Sequence, residues 1–227
     1  MRAAIVGVGA VTPVGVDVRS TWRALEEGRS GIGPIRRFDA RRYPVTFAAE
    51  VPVAGEGPHL VHRMLVGALS QALAGLDLEG VDPARIGVFM GAEATRPTLG
   101  ALGATVLQGK APSAEVLVAH HPAAPMIRVA EVLGARGPMA TIATACTSSG
   151  QAVGDALLAL RRGEADVAVA GGIDALVHPL MVTGFSRLGA LSTRNDAPTA
   201  ACRPFDRDRD GFVLGEGAGM MVLARPG

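Results

Sequence analysis

Lysine is almost missing from this chain. Lys110 is the only one, so arginine supplies nearly all of the positive charge. Lys and Arg together number 22 against 21 Asp and Glu, a net charge of +1, and the arginines are scattered. That balance offers no basic stripe for nucleic acid. Cysteine is nearly as scarce. Cys146 and Cys202 are too few for a disulfide framework or a zinc site, and a reducing, cytoplasmic setting is expected. Aromatic residues make up 4% of the chain, while Gly (30 residues) and small aliphatics are abundant. A core of that kind closes by near approach of backbones, which favours layered α/β architecture. No apolar run nears the roughly 20 residues that span a bilayer. The apolar start, Ala3 to Val14, is broken by Gly7, Gly9 and Pro13, so it reads as a first buried strand rather than a signal peptide.

At 227 residues the chain has length enough for a sizeable core, and without a linker-like composition shift one domain spanning 1–227 is the better count. Short Val- and Ile-rich runs alternate with amphipathic helices, as in βαβ units. Strands are expected at Ala3 to Gly9, Arg85 to Gly91, Met139 to Ala145 and Asp166 to Gly171. A closing pair is expected at Phe212 to Gly219 and Met220 to Leu223. Asp17 caps a helix that ends at Gly28. Further helices are expected over His59 to Leu76, Thr98 to Gln108, Met126 to Leu133 and Ser148 to Arg162. Arg36 to Pro52 reads as irregular, with a short strand near Val45 to Val51.

Cys146 falls between a strand and the first turn of a helix. Unpaired N–H groups and the helix dipole favour a thiolate at such a place. A backbone N–H there can receive the oxyanion of a thioester under attack. A lone cysteine at a strand end is also a common small core residue. The helix that follows favours the chemical reading. Gly150 to Leu160 is apolar or small around nearly its whole circumference, with Gln151 and Asp155 as exceptions, so it belongs inside the protein. Its thiol is then expected to face an enclosed interior. Val153, Leu157, Leu158 and Leu160 are expected to lie under further protein, so the chain alone should not persist as a soluble monomer.

Thr144-Ala145-Cys146-Thr147-Ser148-Ser149 resembles the nucleophile motif of the elongating β-ketoacyl-acyl-carrier-protein synthases. Gly163-Glu164-Ala165-Asp166, Ala170-Gly171-Gly172, Leu191-Ser192-Thr193-Arg194-Asn195, Arg203-Pro204-Phe205-Asp206 and the tract Arg209 to Gly219 are similar to segments of the same family, in the same order. So are Thr12-Pro13-Val14-Gly15 and Trp22. The resemblance implies the amino-terminal half of a thiolase-like layered fold, a mixed β-sheet flanked by helices with a buried nucleophile helix. It implies decarboxylative Claisen condensation in fatty acid or polyketide synthesis, with Cys146 as the acyl-accepting nucleophile and Phe185, ungapped from Cys146, lining the pocket. It implies an acyl carrier protein as partner, a homodimer or complex, and no cofactor or metal.

The family's two assisting histidines, its lysine and its glycine-rich loop belong to a carboxy-terminal half that is expected to be absent here. His59, His62, His120, His121 and His178 all lack the family's His-Gly-Thr context. The chain departs from the family at Ala92 to Arg96, where a Gly-rich run is usual, and at Ala123-Ala124-Pro125. A non-catalytic subunit or degenerate remnant that binds a partner synthase is therefore a second reading, and a cysteine hydrolase a third that lacks a nominated histidine. Gly7-Val8-Gly9 fails as a dinucleotide loop because Thr12 stands where the third glycine belongs. Asp206, Asp208 and Asp210 fail as a calcium loop because Gly217 takes the place of the bidentate acid.

Overall fold

The computed structural model describes residues 2–55, 57–92, 103, 105–119 and 121–225. Five strands form one sheet: β1 (Ala4–Val11), β4 (Ile86–Ala92), β5 (Met139–Ile142), β6 (Val167–Ala175) and β7 (Glu216–Ala224), in the order β1-β7-β6-β4-β5. β4, β5 and β6 run parallel, and β7 is antiparallel to both of its neighbours. A small antiparallel pair, β2 (Gly33–Pro34) and β3 (Phe47–Ala48), lies apart. The helices are α1 (Val18–Glu26), α2 (Gly57–Leu73), α3 (Ala114–Ala119), α4 (Ala124–Leu133), α5 (Ser148–Arg162) and α6 (Pro179–Arg187). No described helix is long and apolar enough to cross a membrane.

Local chemistry sets several boundaries where the residues predict them. Asp17 accepts from the Ser20 N–H at 2.7 Å, and the Ser20 hydroxyl accepts from the Asp17 N–H, a reciprocal cap for α1. Gly134 and Gly163 end α4 and α5 in the left-handed conformation. The expected helix over Thr98 to Gln108 lies largely outside the described residues.

Three expectations are corrected. The closing pair of strands is a single strand, β7, because its alternating residues must pair with β1 on one side and β6 on the other. β1 is an edge strand, not a buried one. Gly7 and Gly9 face α2, where a Cβ would overlap the carbonyl oxygens of Ala72 and Ala68. Its other side leaves Ile5 60% exposed, with Val6 and Val8 also open. Those glycines therefore serve helix-on-strand contact. The third correction concerns α5, which is buried on one face and open on the other. Ala152, Ala156, Ala159 and Leu160 sit against the sheet, whereas Leu158 is exposed. Leu160 thus belongs to this chain's own core.

Two cores flank the sheet. On one side α2 and α4 press Leu60, Met64, Leu65, Leu69 and Val129 against Val88, Met90, Val169, Met220 and Val222. On the other, α5 meets Phe89, Ile142, Ala168, Ala170 and Leu223. A third cluster, with Phe47, Val177, Val182, Leu191 and Leu214, joins β3, α6 and the connection into β7. It is tied to the sheet by Arg37, which donates through Nε (2.7 Å) and Nη2 to Oε1 of Glu216. Val51 N–H donates to the same oxygen.

Candidate active site

The carboxyl ends of the parallel strands β4, β5 and β6 meet the amino end of α5, the usual place for a site in an open α/β sheet. After β5 the chain makes a single tight turn, Ala145–Thr147, before α5 begins. Ala145 has φ +52, a conformation that costs a non-glycine residue about 1–2 kcal/mol. Cys146, the next residue, is exposed. The thiol is at an open surface concavity, contrary to the enclosed interior expected from the sequence, because only one face of α5 is covered.

Hydrogen bonds hold the turn from both sides. Thr144 N–H donates to Ser148 Oγ at 2.8 Å, and Ser148 Oγ–H donates to the Ala145 carbonyl at 2.7 Å. Thr147 Oγ1 donates to the Thr144 carbonyl at 2.8 Å. α5 has no side-chain N-cap. Its dipole and first-turn N–H groups are thus directed at the ground beside Cys146.

Two glycines bring the helix end this close to the sheet. Gly91 and Gly172 are partners in the β4–β6 register. A Cβ on Gly91 would lie 2.5 Å from the Ser148 carbonyl carbon, and one on Gly172 would overlap Ser149 Oγ. A side chain at Gly91 would meet the backbone of the first turn of α5 and lift it, carrying Cys146 with it, whereas one at Gly172 would press on the Ser149 side chain. The residues flagged this strand-end glycine only as part of a motif; its purpose needed the register.

The resulting cavity has a volume of about 430 Å³. Cys146, Ser149, Thr12, Pro13, Gly172 and Asp174 are among its walls, and no histidine, lysine or arginine lines it among the described residues. Phe185 does not line it. It is half-buried on α6, edge-on to Phe212 with ring centroids 5.4 Å apart. His178 caps α6, its Nδ1 accepting from the Leu180 N–H at 3.2 Å. His121 accepts from the Ala123 N–H in the same manner. His59 and His62 lie on α2, and His120 lies outside the described residues. No group of three His, Cys, Asp or Glu side chains among the described residues is placed to hold a metal ion.

One buried charge, Glu216, belongs to the wall of the same cavity. Glu216 has no exposed side-chain surface and Arg37 only 14%. Burial pushes the Glu216 carboxyl above its usual range, and Arg37 pulls it back in part. Its Oε2 has no hydrogen-bond partner. The sequence placed Glu216 only within the family tract and did not single out Arg37, 179 positions away, as its partner.

The sequence profile described as "Beta-ketoacyl synthase, N-terminal domain" matches residues 1–226. The chain is 36% identical to 3-oxoacyl-[acyl-carrier-protein] synthase 2 of Synechocystis sp., over 98% of this chain and 57% of that protein. It is 38% identical to the actinorhodin polyketide putative beta-ketoacyl synthase 1 of Streptomyces coelicolor, over 98% of this chain and 52% of that protein. Among solved structures, a beta-ketoacyl synthase from Burkholderia phymatum superposes with a TM-score of 0.87 at 29% identity, covering 99% of this chain and 59% of its own. A type II polyketide ketosynthase bound to a hexaketide and in complex with its acyl-carrier protein superposes with a TM-score of 0.85 at 28% identity, over 98% and 57%. The fold is therefore the amino-terminal part of the thiolase-like ketosynthase architecture. The chain belongs to the β-ketoacyl synthase family and corresponds to its amino-terminal domain. It spans a little over half the length of the curated relatives it matches.

Proposed function

We propose that Cys146 is the acyl-accepting nucleophile of a decarboxylative Claisen condensation. The thiolate attacks the carbonyl of an acyl thioester, the oxygen takes up the negative charge, and the carrier thiol departs to leave an acyl-Cys146 thioester. Malonyl-carrier protein then loses carbon dioxide, and its carbanion attacks the acyl-Cys146 carbonyl, releasing the thiolate and a β-ketoacyl product. The supporting observation is the turn itself: a thiol exposed on a strained bend, at the uncapped amino end of α5, opening on a cavity above the strand ends.

In this reading residues 1–227 form one domain that contributes the nucleophile, and a carboxy-terminal half contributes the acid–base groups. The lining of the cavity supports that division, since none of its described residues is a histidine. So do Ile5, Val6, Val8, Leu158 and Met221, which are large, apolar and exposed. The chain is expected to work in a homodimer or a complex, with an acyl carrier protein delivering substrate. Sedimentation of the isolated chain tests this; a stable, non-aggregating monomer speaks against it. We keep Phe185 as a lining residue of the acyl pocket on the family pattern alone: it lies outside the cavity beside Cys146, edge-on to Phe212, so it would meet the acyl chain only beyond that cavity. Phe185→Ala should then change the length of acyl group accepted.

The deciding experiment is incubation with acyl-carrier thioester followed by intact mass. An acyl adduct that disappears in Cys146→Ala supports the proposal. Absence of an adduct on the folded protein favours the second reading, a non-catalytic partner of a synthase.

A further inference from the structure

We propose that Ser148 is a positioning residue for Cys146, a hydroxyl latch that holds the strained turn in its reactive shape. The inference rests on the reading of Cys146 as nucleophile and assigns a task to a residue that touches neither the acyl group nor the sulfur.

Ser148 is one of few buried polar side chains in the described chain, at 4% exposure. It is the first residue of α5, one past the N-cap Thr147, and so is not itself the helix cap. Here its Oγ turns back across the bend. It accepts from Thr144 N–H on the strand side and donates to the Ala145 carbonyl at the apex. Both donor and acceptor capacity are thus spent on the two residues immediately before the thiol.

The backbone at Ala145 has a reason to escape. With φ at +52 it sits in a region that an L-residue with a Cβ avoids. Rotation of either flanking peptide toward an ordinary conformation would break one of the Ser148 bonds. The Ala145 carbonyl also accepts the Ser148 N–H, and Thr144 and Ala145 are themselves exposed, so the hydroxyl acts by tying these two peptides to the buried Ser148 side chain. The packing of Ser148 and Ser149 on Gly91 and Gly172 fixes the hydroxyl's own origin against the sheet. The strained residue, the latch and the glycine seat together set where the sulfur points.

Three outcomes separate latch from scaffold. In the folded protein, Cys146 should be alkylated faster than Cys202, which is also exposed and acts as an internal standard. Ser148→Ala should bring the Cys146 to Cys202 ratio toward parity and slow acyl loading by about tenfold to hundredfold, the effect of a small misplacement of a reacting atom. Ser148→Thr, which keeps the hydroxyl, should retain the selectivity. A folded Ser148→Ala protein with an unchanged ratio overturns the latch, as does a Thr variant that behaves like Ala. Should the Ala variant fail to fold, amide hydrogen exchange in the unaltered protein decides: Thr144 N–H must be protected, and exchange at the rate of an unstructured peptide overturns the proposal. If the unaltered protein shows no selectivity for Cys146, the nucleophile reading fails instead, and Thr144 protection still reports on the latch.

Discussion

The two faces of the central sheet are built from different materials. The face under α2 and α4 is filled by long aliphatic side chains, among them Leu60, Met64, Leu65, Met90, Val169, Met220 and Val222. The face under α5 is lined largely by alanine and glycine: Ala152, Ala156, Ala159, Ala168 and Ala170, with Gly91 and Gly172 at the strand ends. Long side chains remove more apolar area from water, at roughly 25 cal/mol per Å². Small ones allow backbones to touch. The first face therefore supplies most of the stability, and the second sets the height of the Cys146 turn above the sheet to within a methyl group.

That contrast is open to direct test. The largest loss should come from Arg37→Leu, which strands Glu216 as an unpaired charge on the first face and should cost about 3–5 kcal/mol at neutral pH by denaturant unfolding. The penalty should shrink as pH falls from 7 toward 4.5. Burial has raised the Glu216 carboxyl above its usual range, so the folded state takes up a proton before the unfolded chain does. A raised group contributes stability at low pH and loses it as pH rises. The titration should stop above pH 4. Below that, Asp39, held to about 2 by its hydrogen bonds with Arg41, and Asp166, held low by Arg85 and Arg225, lose their own contributions as they protonate. A penalty that does not vary with pH would remove Glu216 as its source.

Leu65→Ala should follow, at about 2–5 kcal/mol, by leaving a cavity between α2 and the sheet. The alkylation ratio of Cys146 to Cys202 should stay as it was. Gly172→Ala should reverse that pattern. Overpacking at the seat of α5 should cost about 1–3 kcal/mol while abolishing the selectivity of Cys146. If Leu65→Ala disturbs the thiol as much as Gly172→Ala does, the two faces are not divided as described. Leu158→Lys, on the open side of α5, should change stability within about 0.5 kcal/mol and improve the solubility of the isolated chain. A large loss there would mean that Leu158 is already covered.

Much of this was legible along the chain. The helix from Ser148 to Arg162 follows from its composition and from Gly163 as a stop, and Asp17 announces α1 by capping chemistry. These are local effects, set within one or two turns of backbone. Cys146 as candidate nucleophile was equally visible, from its place between strand and helix. What the residues concealed was distance. Gly7 and Gly9 fail as a ligand loop on spacing alone, but what they serve shows only once α2 is seen lying on them, and β7 reads as two strands until β1 and β6 are paired to its two edges. The exposure of Cys146 was also hidden, since a helix apolar on all sides says how much cover it wants and not whether this chain provides it.

Sequence by itself determined most of the elements and nominated Cys146 as the candidate residue of the site, because propensity, capping and motif are properties of neighbours along the chain. Only tertiary structure decided that Gly91 meets Gly172 beneath the first turn of α5, that Ser148 reaches back to Thr144 and Ala145, and that Arg37 finds Glu216. Those contacts depend on strand register and on the seating of helices against the sheet, quantities that long-range packing sets and that no short stretch of residues carries.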